Sequence, residues 1–224
     1  PPDPAMRNVL RLVLALAALL VLLLVGATLW VRSSVPDLEG RIALPGLRAP
    51  VEVLMDEYGI PHVRATSLHD AVLAQGFIHA RERLWQMDLV RRAVQGRLAE
   101  VLGEPALDTD RFMRRIGLWR AALASLDSLG AEERALMRAY AAGVNAALET
   151  RSGALPPEFL ALRYVPEPWT PEDVLAVGKM MSFTLSSYSE SVAVARALAR
   201  LGPERARFLF PEFPEWGETI LPRN

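Results

Sequence analysis

Residues 51–122 read VEVLMDEYGIPHVRATSLHDAVLAQGFIHARERLWQMDLVRRAVQGRLAEVLGEPALDTDRFMRRIGLWRAA, and the pattern changes once along them. Val51 to Asp56 alternates like a strand, Glu57 to Pro61 reads as a turn, and His62 to Ala65 is a second short strand. Together they predict a β-hairpin. After Thr66 the alternation stops. Ser67 is a helix N-cap with Asp70 three residues on, the capping-box spacing. Leu68, Val72, Ile78, Trp85, Leu89 and Val94 then recur at mixed three-and-four spacing, a helical period. Gly96 and Gly103 mark ends.

Working outward toward the C-terminus, the pattern stays helical. A second helix is expected from about Asp108, and a third from Ala131 to about Thr150, stopped by Ser152-Gly153. Thr170-Pro-Glu-Asp173 is a helix start, with Thr as N-cap, Pro at the first position and two acids in the first turn. That helix passes through Met180 and Met181. The Ser-rich stretch Ser182 to Ser191 is expected to interrupt it, with helix again from Val192 to Leu201 and an end at Gly202-Pro203. Residues 211–224, rich in Pro and acids, read as the start of a spacer.

Toward the N-terminus, residues 32–49 read as a linker with Pro and Gly. Leu12 to Val31 is 20 residues without a charge. At about 1.5 Å per residue it spans roughly 30 Å, a bilayer core. Arg7 and Arg11 in the segment 1–11 place that end in the cytoplasm. A membrane anchor and a cleaved signal peptide both fit; Val25-Gly26-Ala27 offers a small-residue cleavage site. Either reading exports residues 36–224, with the expected domain at 50–210, to a periplasmic or other extracytoplasmic location. The anchor reading holds them at the inner membrane. From these residues alone the class is mainly α with a hairpin. A lone hairpin is marginal, so its strands want partners.

The 224 residues carry 25 Lys+Arg against 26 Asp+Glu, three His and no Cys. The balance argues against a nucleic-acid partner, which would want a basic excess. Without Cys there are no disulfides, thiol nucleophiles or Cys-ligated metals. No Gly-rich dinucleotide fingerprint, P-loop, zinc-protease helix or nucleophile-elbow motif occurs. Asp108-Thr-Asp110 is read as capping rather than metal binding. His69 and His79 stand ten apart, too far for one metal, and all three His are read as structural or surface groups. Arg81, Glu82 and Arg83 read as a solvated turn, and the arginines from Arg91 to Arg115 as intra-protein ion pairs. The Ser-rich stretch has no nearby His to serve as base.

Taken in order, Asp56-Glu-Tyr-Gly-Ile-Pro-His62, His69-Asp70, Gln75-Gly-Phe-Ile-His-Ala80, Arg83-Leu-Trp-Gln-Met-Asp88, Arg91-Arg92, Gly96-Arg97 and Asp110-Arg-Phe-Met113 resemble the penicillin acylase family of N-terminal-nucleophile hydrolases. Pro168-Trp-Thr-Pro-Glu-Asp173 and Lys179-Met-Met181 extend the resemblance over residues 40–210. It implies an exported precursor that cuts itself into a smaller α-chain and a larger β-chain. The fold implied is an αββα sandwich, to which this chain gives mainly helices and a short hairpin after the transmembrane or signal helix. The implied nucleophile is the N-terminal Ser of the β-chain, beyond Asn224, so this part alone is expected to be inactive. The implied reaction is hydrolysis of a linear amide in a small N-acyl compound, such as a β-lactam side chain or an acyl-homoserine lactone.

The resemblance also carries single residues. Glu190 is expected to be one ligand of a structural calcium ion whose other ligands come from the β-chain; no organic cofactor is expected. Met180, Phe183 and Thr184 fall at the lid of the acyl pocket. Some family members have an arginine–aromatic pair where this chain has Phe183-Thr184. His62, Trp85 and Arg92 are expected to be architectural. The competing reading is a membrane-anchored helical module that binds a partner without chemistry.

Overall fold

The computed structural model describes residues 4–35, 39–151 and 153–211. Helix α1, Pro4–Ser34, is longer than the 12–31 span expected from the sequence. Its stretch Asn8–Ser34 is long and apolar enough to cross a membrane, by length and composition. The hairpin forms where the alternation places it. Strand β1, Glu52–Met55, pairs antiparallel with β2, Pro61–Arg64, setting Val53 opposite Val63 and Leu54 opposite His62. Asp56 closes the turn by accepting the amides of Tyr58 (2.9 Å) and Ile60 (2.8 Å), and its other oxygen lies 3.0 Å from His62 Nε2. Gly59 takes φ +73° there, a left-handed conformation that only glycine adopts without strain.

Helix α2, Leu68–Gln95, starts at Ser67, whose Oγ accepts the Asp70 amide at 3.1 Å. The Asp70 carboxylate turns to the Ser67 hydroxyl and to the Arg48 amide at 3.0 Å, so the end of the expected linker is bonded to this helix. The helix ends at Gly96 (φ +67°): the Gly96 amide bonds Ala93 O and the Arg97 amide bonds Arg92 O, the two-bond closure that a left-handed glycine permits. Arg83 is non-helical within it (φ −133°, ψ 24°) and kinks it.

Short helix α3, Ala99–Leu102, and a 3₁₀ turn at Glu104–Ala106 lead into α4, Leu107–Ile116. Gly117 (φ +79°) separates α4 from α5, Leu118–Ser128, a break the sequence reading did not place. Helix α6, Ala131–Glu149, follows, with α7, Pro157–Ala161, also unanticipated. Helix α8, Pro171–Thr184, starts at the expected Thr-Pro-Glu-Asp. Helix α9, Tyr188–Leu209, corrects two expectations. The Ser-rich interruption shrinks to residues 185–187. Gly202 (φ 78°, ψ 169°) kinks the chain without ending it, because Pro203 is tolerated in the first turn of the helical segment that resumes there. The expected stop at Ser152 and the spacer residues 212–224 lie outside the described residues.

Among the described residues the fold is therefore mostly helical with one two-stranded sheet. The chain divides into two compact units, 1–180 and 181–224. In the first, α2 lies backbone-to-backbone on α6. A Cβ on Gly76 would stand 2.2 Å from the Tyr140 carbonyl oxygen, and one on Gly143 2.0 Å from that of Leu73. Phe77, Ala80, Leu84, Val144, Phe159 and Trp169 pack around this contact. A smaller cluster joins Val94, Ala122 and Ala176, tying α2, α5 and α8.

Candidate functional site

The densest chemistry grows from three residues of α2. Asp88, Arg91 and Arg92 are fully or nearly fully buried. Their spacing of three and four residues puts them on one helix face. The Asp88 carboxylate accepts from Arg91 Nη2, from Arg92 Nε (2.9 Å) and from the Tyr164 hydroxyl (2.9 Å). Arg91 also donates from Nη1 to the carbonyls of Glu167 (3.1 Å) and Pro168 (3.0 Å), and Asp173 lies 3.5 Å from it. Arg92 reaches Glu100 at 2.9 Å, and Arg97 bridges Glu100 and Glu167.

Asp173 joins the network to α8. It accepts Gln95 Nε2 at 2.7 Å and, as the reciprocal half of a capping box, the Thr170 amide at 2.9 Å. Asn145 of α6 pairs with the backbone of Trp169 in both directions, accepting its amide (2.7 Å) and donating to its carbonyl (2.9 Å). Arg91 Cζ sits 5.3 Å from the centre of the Trp169 ring and Arg92 Cζ 4.9 Å from that of Tyr164. Arg91 Nε and Trp169 Nε1 are buried without hydrogen-bond partners among the described residues.

The electrostatics follow these contacts. Burial, then Asp88, pushes the Tyr164 hydroxyl far up. Burial raises the Asp173 carboxyl, against the pull of Thr170 and Arg91. Arg97 holds Glu100 and Glu167 below the usual carboxylate range. Every carboxylate here meets a cation or an amide, and the two hydroxyls beside them, Tyr164 on Asp88 and Thr170 on Asp173, are held in the same network. The network is a clamp, which fits the expected ion-pair role of these arginines. Sequence reading singled out Arg91 and Arg92. It missed Asp88 as their shared partner, although an acid three and four residues before two arginines was a visible signal. Tyr164, 76 residues away, left none.

Asp110 behaves as expected of a capping acid, but caps a different helix from its own. It accepts the amides of Leu98 and Ala99, both at 2.8 Å, at the start of α3. His62 meets Asp56, His69 meets Asp70 at 3.2 Å, and His79 meets the Tyr140 hydroxyl at 2.8 Å. Burial lowers the pKa of His79. Trp85 packs edge-on against Phe159, with ring centroids 5.5 Å apart.

The four expected site residues lie along one stretch. Met180 is half-buried against the Val94–Ala122–Ala176 cluster, with Leu118 and Trp119. Within the second unit, the Phe183 ring sits 5.3 Å from that of Tyr188, a partner not foreseen. Thr184 Oγ1 donates to Met181 O at 2.9 Å. Glu190 is exposed in the first turn of α9. Calcium takes six to eight oxygens. Among the described residues no group of three or more metal-ligating side chains gathers, so Glu190 could supply only part of such a shell.

A model of the penicillin amidase family matches residues 50–217. The penicillin acylase 2 proenzyme of Pseudomonas sp. (strain SE83) is 44% identical over 191 residues, 85% of this chain and 24% of that protein. The acyl-homoserine lactone acylase QuiP of Pseudomonas aeruginosa is 34% identical over 183 residues, 81% of this chain and 22% of that protein. The chain thus spans about a quarter of the length of these curated relatives. A solved thermostable penicillin G acylase from Alcaligenes faecalis superposes with a TM-score of 0.56 at 32% identity, covering 78% of this chain and 96% of that one. The motif order from Asp56 to Met181, the match over residues 50–217 and the superposed fold agree: the chain belongs to the penicillin amidase family.

Proposed function

We propose that this chain is the α-chain part of an exported acylase precursor, anchored in the inner membrane through α1, that hydrolyses the linear amide of a small N-acyl compound. One contrast carries the reading. The chain covers only 24% of a relative named a proenzyme, yet 96% of a solved acylase chain. A proenzyme cut into a short and a long chain accounts for both numbers.

In this reading the nucleophile is the N-terminal Ser of a β-chain. Its hydroxyl attacks the amide carbonyl and its proton passes to the chain's own α-amine. An α-amine titrates near pH 8 and can accept that proton close to neutrality. The C–N bond breaks, the amine leaves with a proton, and water then releases the acid from the acyl-enzyme. This chain contributes binding and positioning. Met180, Phe183 and Thr184 serve at the lid of the acyl pocket, and the clamp on Asp173 fixes the start of the helix that carries Met180. Glu190 supplies one carboxylate to a calcium ion completed by the β-chain, where the metal's part is structural. Penicillin side chains and acyl-homoserine lactones remain two branches of the same proposal, separated by substrate.

The test is expression of the reading frame continued past Asn224. The expected result is two chains, the longer beginning with Ser, and release of amine from penicillin G or an acyl-homoserine lactone. Replacing that Ser by Ala should abolish both cleavage and hydrolysis. An uncut product without amidase activity overturns the reading. For calcium, Glu190→Ala in the complete protein should lower metal content and thermal stability; unchanged calcium content removes Glu190 from the shell.

A further inference from the structure

Asp173, Ala176 and Met180 follow one another in α8 at spacings of three and four, so they share one face of that helix. The first of them is locked. Its carboxylate accepts from Gln95 Nε2 at 2.7 Å and from the Thr170 amide at 2.9 Å, and Arg91 stands 3.5 Å away. Gln95 is the last residue of α2. Its neighbour Val94 joins Ala176 and Ala122 of α5 in one buried cluster. The end of α2 therefore holds the first turn of α8 by hydrogen bonds and the second by packing.

Ala122 and Ala176 are fully buried and Val94 nearly so. Interiors are close-packed, and a single added or deleted methyl group is felt there. Among the described residues, four half-buried side chains close the cluster: Leu118 and Trp119 of α5, Leu175 and Met180 of α8. A change of volume inside must be taken up by one of these. Trp119 is a rigid ring, and both leucines are branched. Met180 is unbranched with three rotatable bonds, the side chain that yields most readily. It also stands one turn beyond Ala176, past the part of α8 that Asp173 fixes. A hydrophobic pocket separates ligands that differ by one methylene by about 10–200-fold. A shift of a lid methionine by the width of a methyl group is then read as a change in acyl preference.

We propose that Val94 and Ala122 are positioning residues that set the accepted acyl length, by fixing how far Met180 stands into the acyl pocket. This deepens the acylase reading and rests on it, with Met180 at the lid. Bulk added at Ala122 drives Met180 outward and shortens the pocket. Bulk removed at Val94 lets Met180 sink and lengthens it. General loosening of the cluster would instead move both variants the same way.

The test uses the complete processed two-chain protein and N-acyl-homoserine lactones graded from butanoyl to dodecanoyl, with phenylacetyl and phenylbutanoyl amides as an aromatic pair. The readout is the ratio of kcat/KM for long over short acyl groups. Ala122→Val should lower that ratio about tenfold, and Val94→Ala should raise it about tenfold. Both shifts should vanish when Met180→Ala is added, because the side chain they act through is gone. A merely structural role would lower activity on every substrate alike. An unmoved ratio in both variants, shifts of the same sign, or shifts that survive Met180→Ala overturn the proposal. Should Ala122→Val fail to mature, Val94→Ala with and without Met180→Ala decides it. Met180→Ala alone separates the readings. A ratio that moves there but not in the cluster variants overturns this inference and leaves the lid in place. A ratio that Met180→Ala leaves unmoved takes Met180 off the lid, and this inference falls with it. No amide hydrolysis by the unaltered protein overturns the acylase reading itself and both that depend on it.

Discussion

Gly143 and Gly178 are both helical glycines, and they should answer the same substitution in opposite ways. Among the described residues nothing lies within 4 Å of a Cβ built on Gly178, so Gly178→Ala should stabilise by about 0.5–1 kcal/mol through helix propensity. At Gly143 the new methyl would strike the Leu73 carbonyl, and Gly143→Ala should cost about 1–3 kcal/mol as the helices part. Chemical denaturation of the complete protein reads both; a stabilised Gly143→Ala would refute the backbone contact. Charges divide in the same manner. Asp88→Ala strands Arg91, Arg92 and Tyr164 in the interior and should cost about 3–5 kcal/mol. Asp108→Ala breaks only an exposed pair with Arg111 and should cost about 0.5 kcal/mol or less. Asp70 gives a pH signature. Its carboxyl is pulled from 3.8 to about 2, first by the Arg48 amide and then by His69 and Ser67. A depressed folded value means the stabilisation is complete above pH 4 and is lost as pH falls toward 2. Asp70→Asn should flatten the melting temperature over that window; an unchanged acid slope would show the carboxylate is not held.

At the scale of elements, local signals were legible and distant ones were not. Ser67 and Gly96 bracket α2 because a cap and a left-handed stop act within one turn of their own helix. Thr170 to Asp173 announced α8 for the same reason. Gly117 and Gly202 were harder: both take left-handed φ, yet one separates two helices and the other only bends the chain. Which outcome follows depends on what comes next, Leu118 continuing the apolar pattern or Pro203 restarting a helix. Short α7 was hidden because its helix rests on burying Phe159, a tertiary reward. The joint between α6 and the segment entering α8 was also invisible, since Asn145 mimics a strand partner for a backbone 24 residues away. Asn145→Ala removes both bonds and leaves the Trp169 amide and carbonyl unpaired, at a cost of about 1–3 kcal/mol. Asn145→Asp keeps only the acceptor and should fall between; equal stability of all three proteins would show that the pairing is idle.

For the molecule as a whole, the expected site residues rest on resemblance alone. Met180, Phe183, Thr184 and Glu190 sit on ordinary helical turns, and no local spacing marks them as a site. The hairpin bears on the second chain that the proposed function requires. Among the described residues its two strands have open edges, beside exposed Val53, Leu54, Tyr58 and Ile60. If the proposed function holds, residues 36–224 produced alone should aggregate or bind a hydrophobic dye, and production with the proposed β-chain should cure both. A monodisperse, dye-silent product would count against a missing partner. The buried clamp has a consequence for timing. Asp88, Arg91 and Arg92 leave the ribosome some 75 to 85 residues before Tyr164 and Asp173, the groups that complete their pairing. Until residue 173 has emerged, burying that face of α2 would carry incompletely matched charges out of water. Closure of the core is thereby postponed until α8 has begun to emerge.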